Sequence, residues 1–180
     1  FGTDSGTAQA FIFAQISQSE FIDSVVPMNT GGLDEPRDMI IGPDNLLYVS
    51  SARSDSIIRF TPETREFHSI FVPYASGGLD APHGLTFGRD LTGDNQEDLY
   101  VVSQGTNEVL VYNGITGEFV QVFVNLGLET PTDLTFGPDS TSDNIPELYV
   151  SNFDTDEVLR YNGDTGVFAG VFVEEALGGL

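Results

Sequence analysis

Apolar residues along this chain recur in short runs that either alternate with polar residues or continue unbroken for about five positions. In the stretch 77–127 the runs are Gly84–Phe87, Leu99–Ser103, Glu108–Tyr112 and Phe119–Val124. Alternating runs predict strands with one wet face, and unbroken runs predict strands covered on both faces. Asn113-Gly114 and Asn162-Gly163 separate the third run from the fourth and are read as the positive-φ pair of a hairpin turn. Twenty Gly, nine Pro, fourteen Phe and six Tyr fit many short strands joined by tight turns, with few helices.

The pattern repeats. GGLDEPRDMIIGPD (31–44), GGLDAPHGLTFGRD (77–90) and LETPTDLTFGPD (128–139) open three copies. Each continues through LYVSS, LYVVSQ or LYVSN, then DSIIRF, NEVLVY or DEVLRY, then TREFHSIFV, TGEFVQVFV or TGVFAGVFV. Pro36, Pro82 and Pro131 mark periods of 46 and 49 residues. Four short antiparallel strands at such a period predict an all-β protein of the β-propeller kind, one four-stranded blade per copy. Tyr48, Tyr100 and Tyr149 recur in register, as do Phe67, Phe119 and Phe168, and Phe71, Phe123 and Phe172. These aromatics are read as inter-blade core.

Residues Phe11–Val26 align without a gap on Val158–Val173, with Phe21 in the place of Phe168. The chain therefore divides as a single propeller segment: an outer two-strand hairpin of an incomplete blade (1–30), blades at 31–76, 77–127 and 128–177, and the start of a further repeat at 178–180. Fourteen strands are expected, and three and a half blades cannot close a ring of about four to eight. The first expectation is a piece of a longer chain. Completion of the ring by further copies, or an open array capped by another element, stays open.

The repeat P-x-x-L-x-F-G-P-D…LYVS…(N/D)-x-V-L-R-Y-(N/D)-G-x-T-G-x-F resembles the NHL-type and gluconolactonase-like β-propeller repeats of secreted bacterial proteins, streptogramin-lyase-like ones included. The resemblance covers nearly the whole chain and implies fold. It says little of activity, because propellers host lyases, hydrolases, lectins and scaffolds alike. It also implies export to the cell surface, periplasm or medium.

Charge narrows the partners. The six positive residues are all Arg against 28 Asp and Glu, a formal net charge of −22. Such a field repels nucleic acid and anionic headgroups, so neither is expected as a partner. No apolar stretch is long enough for a spanning helix, so membrane insertion is not expected. No Cys is present, which removes disulfides, thiolate metal sites and Cys nucleophiles. The sequence opens at Phe1 without Met or a basic-then-apolar leader, and any targeting segment is expected to have been removed.

Between the first and second strands, the first copy turns tightly through Gly42-Pro43-Asp44-Asn45-Leu46, whereas the other two insert six residues. The inserted loops present Asp90, Thr92, Asp94, Gln96 and Asp98, and Asp139, Thr141, Asp143, Ile145 and Glu147, at odd positions. Oxygen side chains at positions 1, 3, 5 and 9, with a carbonyl at 7, suit a hard cation that takes six to eight oxygens. The loops resemble the FG-GAP calcium loops of integrin-type propellers, departing from them at Thr92, Thr141, Asn95 and Asn144. Structural Ca²⁺ is the expected cofactor, and a solvated acidic turn is the competing reading.

The innermost strands should line the axial channel, where a propeller enzyme keeps its chemistry. Their aligned pairs are Arg37-Asp38, His83-Gly84 and Thr132-Asp133. Pro82-His83-Gly84-Leu85 resembles the "PHGI" element of streptogramin lyases, which makes His83 the one catalytic candidate, as a general base. Arg37 and Asp38 are read as an ion pair or channel lining. His68 is placed on an exposed outer strand, and Ser50, Ser51 and Ser151 are read as packing or ladder positions. The preferred function is a non-enzymatic, extracellular, calcium-binding scaffold or recognition module. Its expected partner is a protein or glycan surface ligand, or further copies of itself joined through the N-terminal hairpin, whose open edge invites pairing. The alternative is a lyase or lactone hydrolase using His83.

Overall fold

The computed structural model describes residues 2–4, 9–13, 21–26, 30–140 and 142–174, with side chains described from residue 30 onward. Four antiparallel sheets are formed, each from strands consecutive in sequence. The first holds β1 (Gly2–Asp4), β2 (Gln9–Phe13) and β3 (Phe21–Val26). The second holds β4 (Pro36–Ile41), β5 (Leu47–Ser51), β6 (Ser56–Thr61) and β7 (Glu66–Val72). The third holds β8 (Pro82–Gly88), β9 (Asp98–Ser103), β10 (Glu108–Tyr112) and β11 (Phe119–Val124). The fourth holds β12 (Pro131–Phe136), β13 (Leu148–Asn152), β14 (Glu157–Tyr161) and β15 (Phe168–Val173). The leading strands β4, β8 and β12 lie side by side. This is β-propeller architecture with three complete blades, and the described sheets do not close a ring.

The run pattern explains the layers. β5 and β9 are unbroken runs and are buried at every position, because neighbouring sheets cover both faces. β7 and β11 alternate and are largely exposed until Phe71-Val72 and Phe123-Val124. One core cluster joins the first blade to the second through Tyr48, Ile57, Phe71, Leu85, Val101 and Leu110. Another joins the second to the third through Tyr100, Val109, Phe123, Leu134, Val150 and Leu159. At the centre of each, a Tyr is met edge-on by two Phe rings. Tyr48 lies 5.0 Å from Phe71 and 5.1 Å from Phe87, and Tyr100 lies 5.1 Å from Phe123 and 4.9 Å from Phe136. Edge-on pairs of this kind contribute about 0.5–1.5 kcal/mol each beyond their buried area.

Four expectations need correction. The first sheet has a third strand, β1, so the N-terminal hairpin is not two-stranded. Its gapless alignment is also off by one on β2, since Val26 pairs with Ala10 and Phe21 with Phe13, where Val173 pairs with Val158 and Phe168 with Tyr161. The spacing from β2 to β3 is one residue longer than that from β14 to β15. Phe67, Phe119 and Phe168 are not inter-blade core but half-exposed rings. They pack edge-on against Phe60, Tyr112 and Tyr161 within their own blades. Finally, the Asn-Gly pairs do not supply the positive φ of the hairpins. Gly117 (φ 73) and Gly166 (φ 67) do, each donating its N–H to the carbonyl of Asn113 or Asn162 at 2.9 Å. Residues 178–180 and Thr141 lie outside the described residues.

Candidate functional site

The inserted loop of the second blade curls around its own carboxylates. Asp90 Oδ1 accepts the N–H of Gly93 at 2.6 Å and of Asp94 at 3.3 Å, and Oδ2 accepts that of Asn95 at 2.8 Å. Desolvation pushes the Asp90 carboxyl up, but the bonds from Asn95, Gly93, Thr92 and Asp94 outweigh it and hold its pKa below the ordinary carboxylate value. Asp98 is wholly buried. Its Oδ2 accepts the N–H of Leu91 and Thr92 at 2.7 and 3.1 Å, and its Oδ1 that of Gly114 at 3.1 Å. The Thr92 hydroxyl stands 3.2 Å from Asp90 Oδ1 and 3.3 Å from Asp98 Oδ1, so three hard oxygens meet there.

Asp94 is brought in through a side chain outside the loop. Asn113 Oδ1 is committed to the N–H groups of Ile115 and Thr116 at 2.9 and 2.8 Å. Its amide nitrogen therefore faces the loop, donating to Asp94 Oδ2 at 2.7 Å and Thr92 Oγ1 at 3.1 Å. Gln96 points away, its amide donating to the Asn95 carbonyl on an exposed surface. The third blade repeats the scheme. Asp139 accepts the N–H of Ser142 and Asn144 at 2.6 and 2.8 Å, and Asp143 accepts the N–H of Ile145 and the amide of Asn162 at 2.9 and 3.1 Å. The buried Glu147 accepts the N–H of Ser140 at 2.7 Å. Among the described residues, no three His, Cys, Asp or Glu side chains come together as a metal-ligand group.

The tight turn of the first blade makes a different network. Asp44 Oδ2 accepts the Tyr48 hydroxyl at 3.0 Å and Arg59 Nη1 at 3.2 Å, and the Arg59 guanidinium lies 4.6 Å above the Phe71 ring. Burial pushes the Tyr48 hydroxyl up to about 12, with Arg59 opposing, so it stays a donor.

On the axial side, each innermost strand carries a β-bulge at the predicted pair. The register shifts between Pro36 and Met39, between Pro82 and Leu85, and between Pro131 and Asp133. In the first and third blades a serine clamps the bulge. Ser50 Oγ accepts the N–H of Asp38 at 2.8 Å and donates to its carbonyl at 3.2 Å, and Ser151 does the same for Asp133 at 2.9 and 3.3 Å. Asp38 ties two blades together, accepting its neighbour Met39 N–H at 2.7 Å and the Leu85 N–H of the next blade at 3.1 Å. Burial raises the Asp38 pKa; those two N–H bonds oppose the shift and the nearby Asp133 charge adds to it. Gly84 is required by close approach, since a Cβ there would stand 2.6 Å from Asp133 Oδ1.

His83 is half-buried. Burial lowers its pKa, the Arg37 charge adds to that and Glu35 opposes it, which favours the neutral ring. Glu35 is engaged by both Arg37 and Arg53, so Arg37 pairs with Glu35 rather than with Asp38. His68 is exposed. Ser51 and Ser103 likewise clamp the approach to the innermost strands, bonding the N–H and carbonyl of Asp34 and Asp80. Neither these clamps nor the Asn113 and Asn162 amides stand out in the sequence as site residues. The recurrence of Ser and Asn at fixed places in the repeat is the signal that carried them.

No protein-family model and no curated protein matches this sequence. Solved structures do match, and they are β-propeller folds. An auxiliary nutrient binding protein from Bacteroides ovatus aligns at 15% identity and TM-score 0.61, over 88% of this chain and 44% of the other. A catalytically inactive virginiamycin B lyase from Staphylococcus aureus, solved with quinupristin, aligns at 16% identity and TM-score 0.61, over 91% and 48%. Kuenenia stuttgartiensis hydrazine synthase aligns at 17% identity and TM-score 0.59, over 86% and 41%. The chain spans less than half the length of each of these chains. At such identities the likeness is one of fold.

Proposed function

We propose that this chain is a non-catalytic β-propeller scaffold or recognition module working outside the cytoplasm, with calcium held at the two inserted loops. The observation that carries the non-catalytic reading is the state of the axial polar groups. Asp38 holds one backbone N–H on each oxygen and Glu35 pairs with two arginines, so these axial carboxylates are engaged in holding the blades. The proposed partner is a protein or glycan of the cell surface, or a further copy of the chain. A panel of lactones and lactone-linked cyclic peptides tests the enzyme alternative. No ring opening is expected, and turnover that disappears in His83→Ala would overturn the scaffold reading.

Calcium is supported by the donor chemistry. Asp90, Thr92 and Asp98 gather hard oxygens about one hydroxyl, and the same acidic scheme recurs in the adjacent blade. A carboxylate has about four lone-pair sites, and Asp90 and Asp98 each accept three backbone N–H groups, so a cation has to share or displace some of those bonds. The Asn113 amide occupies the place beside Asp94, and binding has to turn it aside. Thermal unfolding with calcium chloride and then excess EGTA, at constant ionic strength, is the test. A midpoint raised by several degrees and returned by EGTA is expected. An unmoved midpoint would leave the loops as hydrogen-bonded latches.

A further inference from the structure

Among the described residues, the three complete blades meet at two interfaces, which share one template. The earlier blade offers a Tyr, a β-branched residue and an outer-strand Phe: Tyr48, Ile57 and Phe71 in one case, Tyr100, Val109 and Phe123 in the other. The later blade inserts the Phe of its innermost strand, Phe87 or Phe136, onto that Tyr. It also rests its hairpin turn on the earlier outer strand. A Cβ on Gly117 or Gly166 would lie 2.1 or 2.0 Å from the carbonyl of Phe71 or Phe123. A residue in left-handed conformation, Asp55 (φ 42) or Asn107 (φ 56), receives the N–H of Ala81 or Thr130 at 2.9 Å.

The third blade repeats the earlier-blade half of this template with nothing described against it. Tyr149 and Phe172 already stand edge-on at 4.9 Å, with Val158 beside them. Phe172 is 60% exposed where Phe71 and Phe123 are 4% and 6% exposed. Asp156 (φ 54) holds the position of Asp55 and Asn107. Asp133 gives Oδ1 to the Leu134 N–H at 2.8 Å, as Asp38 does to Met39. Among the described residues, neither Asp156 nor the second Asp133 oxygen receives the N–H that a following blade would bring. A shallow cleft of about 130 Å³ opens between Asp133, Tyr149, Ser151 and Val158.

We propose that this face is a docking surface for one kind of partner, a further four-stranded blade of this same repeat. That blade carries Phe at the position of Phe87 and Phe136, and Gly at the position of Gly117 and Gly166. The occupant follows from the two existing interfaces: aromatic surface meets aromatic surface in both, and the side-chain oxygens of Asp38, Asp55 and Asn107 accept the backbone N–H groups of Leu85, Ala81 and Thr130 from the next blade. An unrelated helix keeps its interior N–H groups in its own hydrogen bonds and would leave those acceptors unmatched. This surface is distinct from the N-terminal hairpin and independent of calcium, so its test stands apart from that of the proposed function.

The test extends the full chain after Leu180 by a second copy of residues 80–127, so that Gly178-Gly179-Leu180 takes the place of Gly77-Gly78-Leu79. Amide exchange of β13 and β14 is expected to slow at least tenfold and the melting midpoint to rise. Phe172→Ser is expected to abolish most of that rise in the extended chain while moving the midpoint of the 180-residue chain little. Unchanged exchange in β13 and β14 would overturn the proposal. So would a dimer of the 180-residue chain in which those strands are already protected, because a second copy would then be the occupant.

Discussion

Asp38 and Asp90 are carboxylates of one chain whose pKa values are displaced in opposite directions because their surroundings differ. Asp38 is carried into the seam between two blades, and burial raises its pKa against the pull of the Leu85 and Met39 N–H groups. A carboxyl raised in the folded state contributes stability that is full below its ordinary pKa and is lost as pH rises through the folded value. Asp90 is held low, so its contribution is present above the ordinary value and lost as pH falls through the folded one. Asp38→Asn keeps one acceptor and turns an amide donor toward the second N–H, at a cost of about 1–3 kcal/mol. The variant also lacks the titration. In urea unfolding the gap between it and the parent chain should therefore widen as pH is lowered from about 7 to about 4. A gap constant across that range would show that Asp38 is not raised.

At the scale of elements, the second and third blades are each held by a latch at one end of their strands. The inserted loop is pinned to the hairpin turn between the third and fourth strands, through Asn113 and Gly114 in one blade and Asn162 in the next. A Cβ on Gly114 would stand 1.8 Å from the Glu97 carbonyl, and one on Gly163 would stand 1.8 Å from that of Pro146. Backbone cannot give way as a flexible side chain does, so Gly114→Ala should cost about 1–3 kcal/mol in urea unfolding. Gly93→Ala is the comparison, with open space around its Cβ and only its φ of 77° to resist the change. If Gly114→Ala cost no more than Gly93→Ala, the loop and turn would not be latched. This latch marks the boundary of what the sequence made legible. Strand runs, the repeat and the in-register Tyr positions announce themselves through apolar periodicity, and the three blades follow from them. The acidic positions were legible as residue types. Their use was not, because whether Asp98 faces a cation or the N–H of Gly114 depends on how two segments sixteen residues apart fold against each other. The bulges were hidden for a related reason, since a bulge is defined only by the partner strand. β1 is three residues long with no apolar run to mark it.

For the whole molecule, the dominant quantity is a net charge of −22 distributed over blades that bury few of its charges. Among the described residues, Arg37 and Arg53 pair with Glu35, Arg59 with Asp44 and Arg89 with Asp164, and most of the acidic surface has no cationic neighbour. Repulsion of that kind opposes compactness and reaches over the Debye length, about 30 Å at 0.01 M salt but about 8 Å at 0.15 M. Raising sodium chloride across that range should therefore raise the melting midpoint by several degrees, and choline chloride should do the same, since screening depends on ionic strength alone. A specific cation site behaves otherwise. At fixed ionic strength, about 1 mM calcium should add a further rise that magnesium does not reproduce, because magnesium demands tighter octahedral geometry and gives up its waters reluctantly. If calcium and magnesium raise the midpoint equally, both are acting as counter-ions to the acidic surface. The loops at Asp90–Asp98 and Asp139–Glu147 would then serve the propeller through their hydrogen bonds alone.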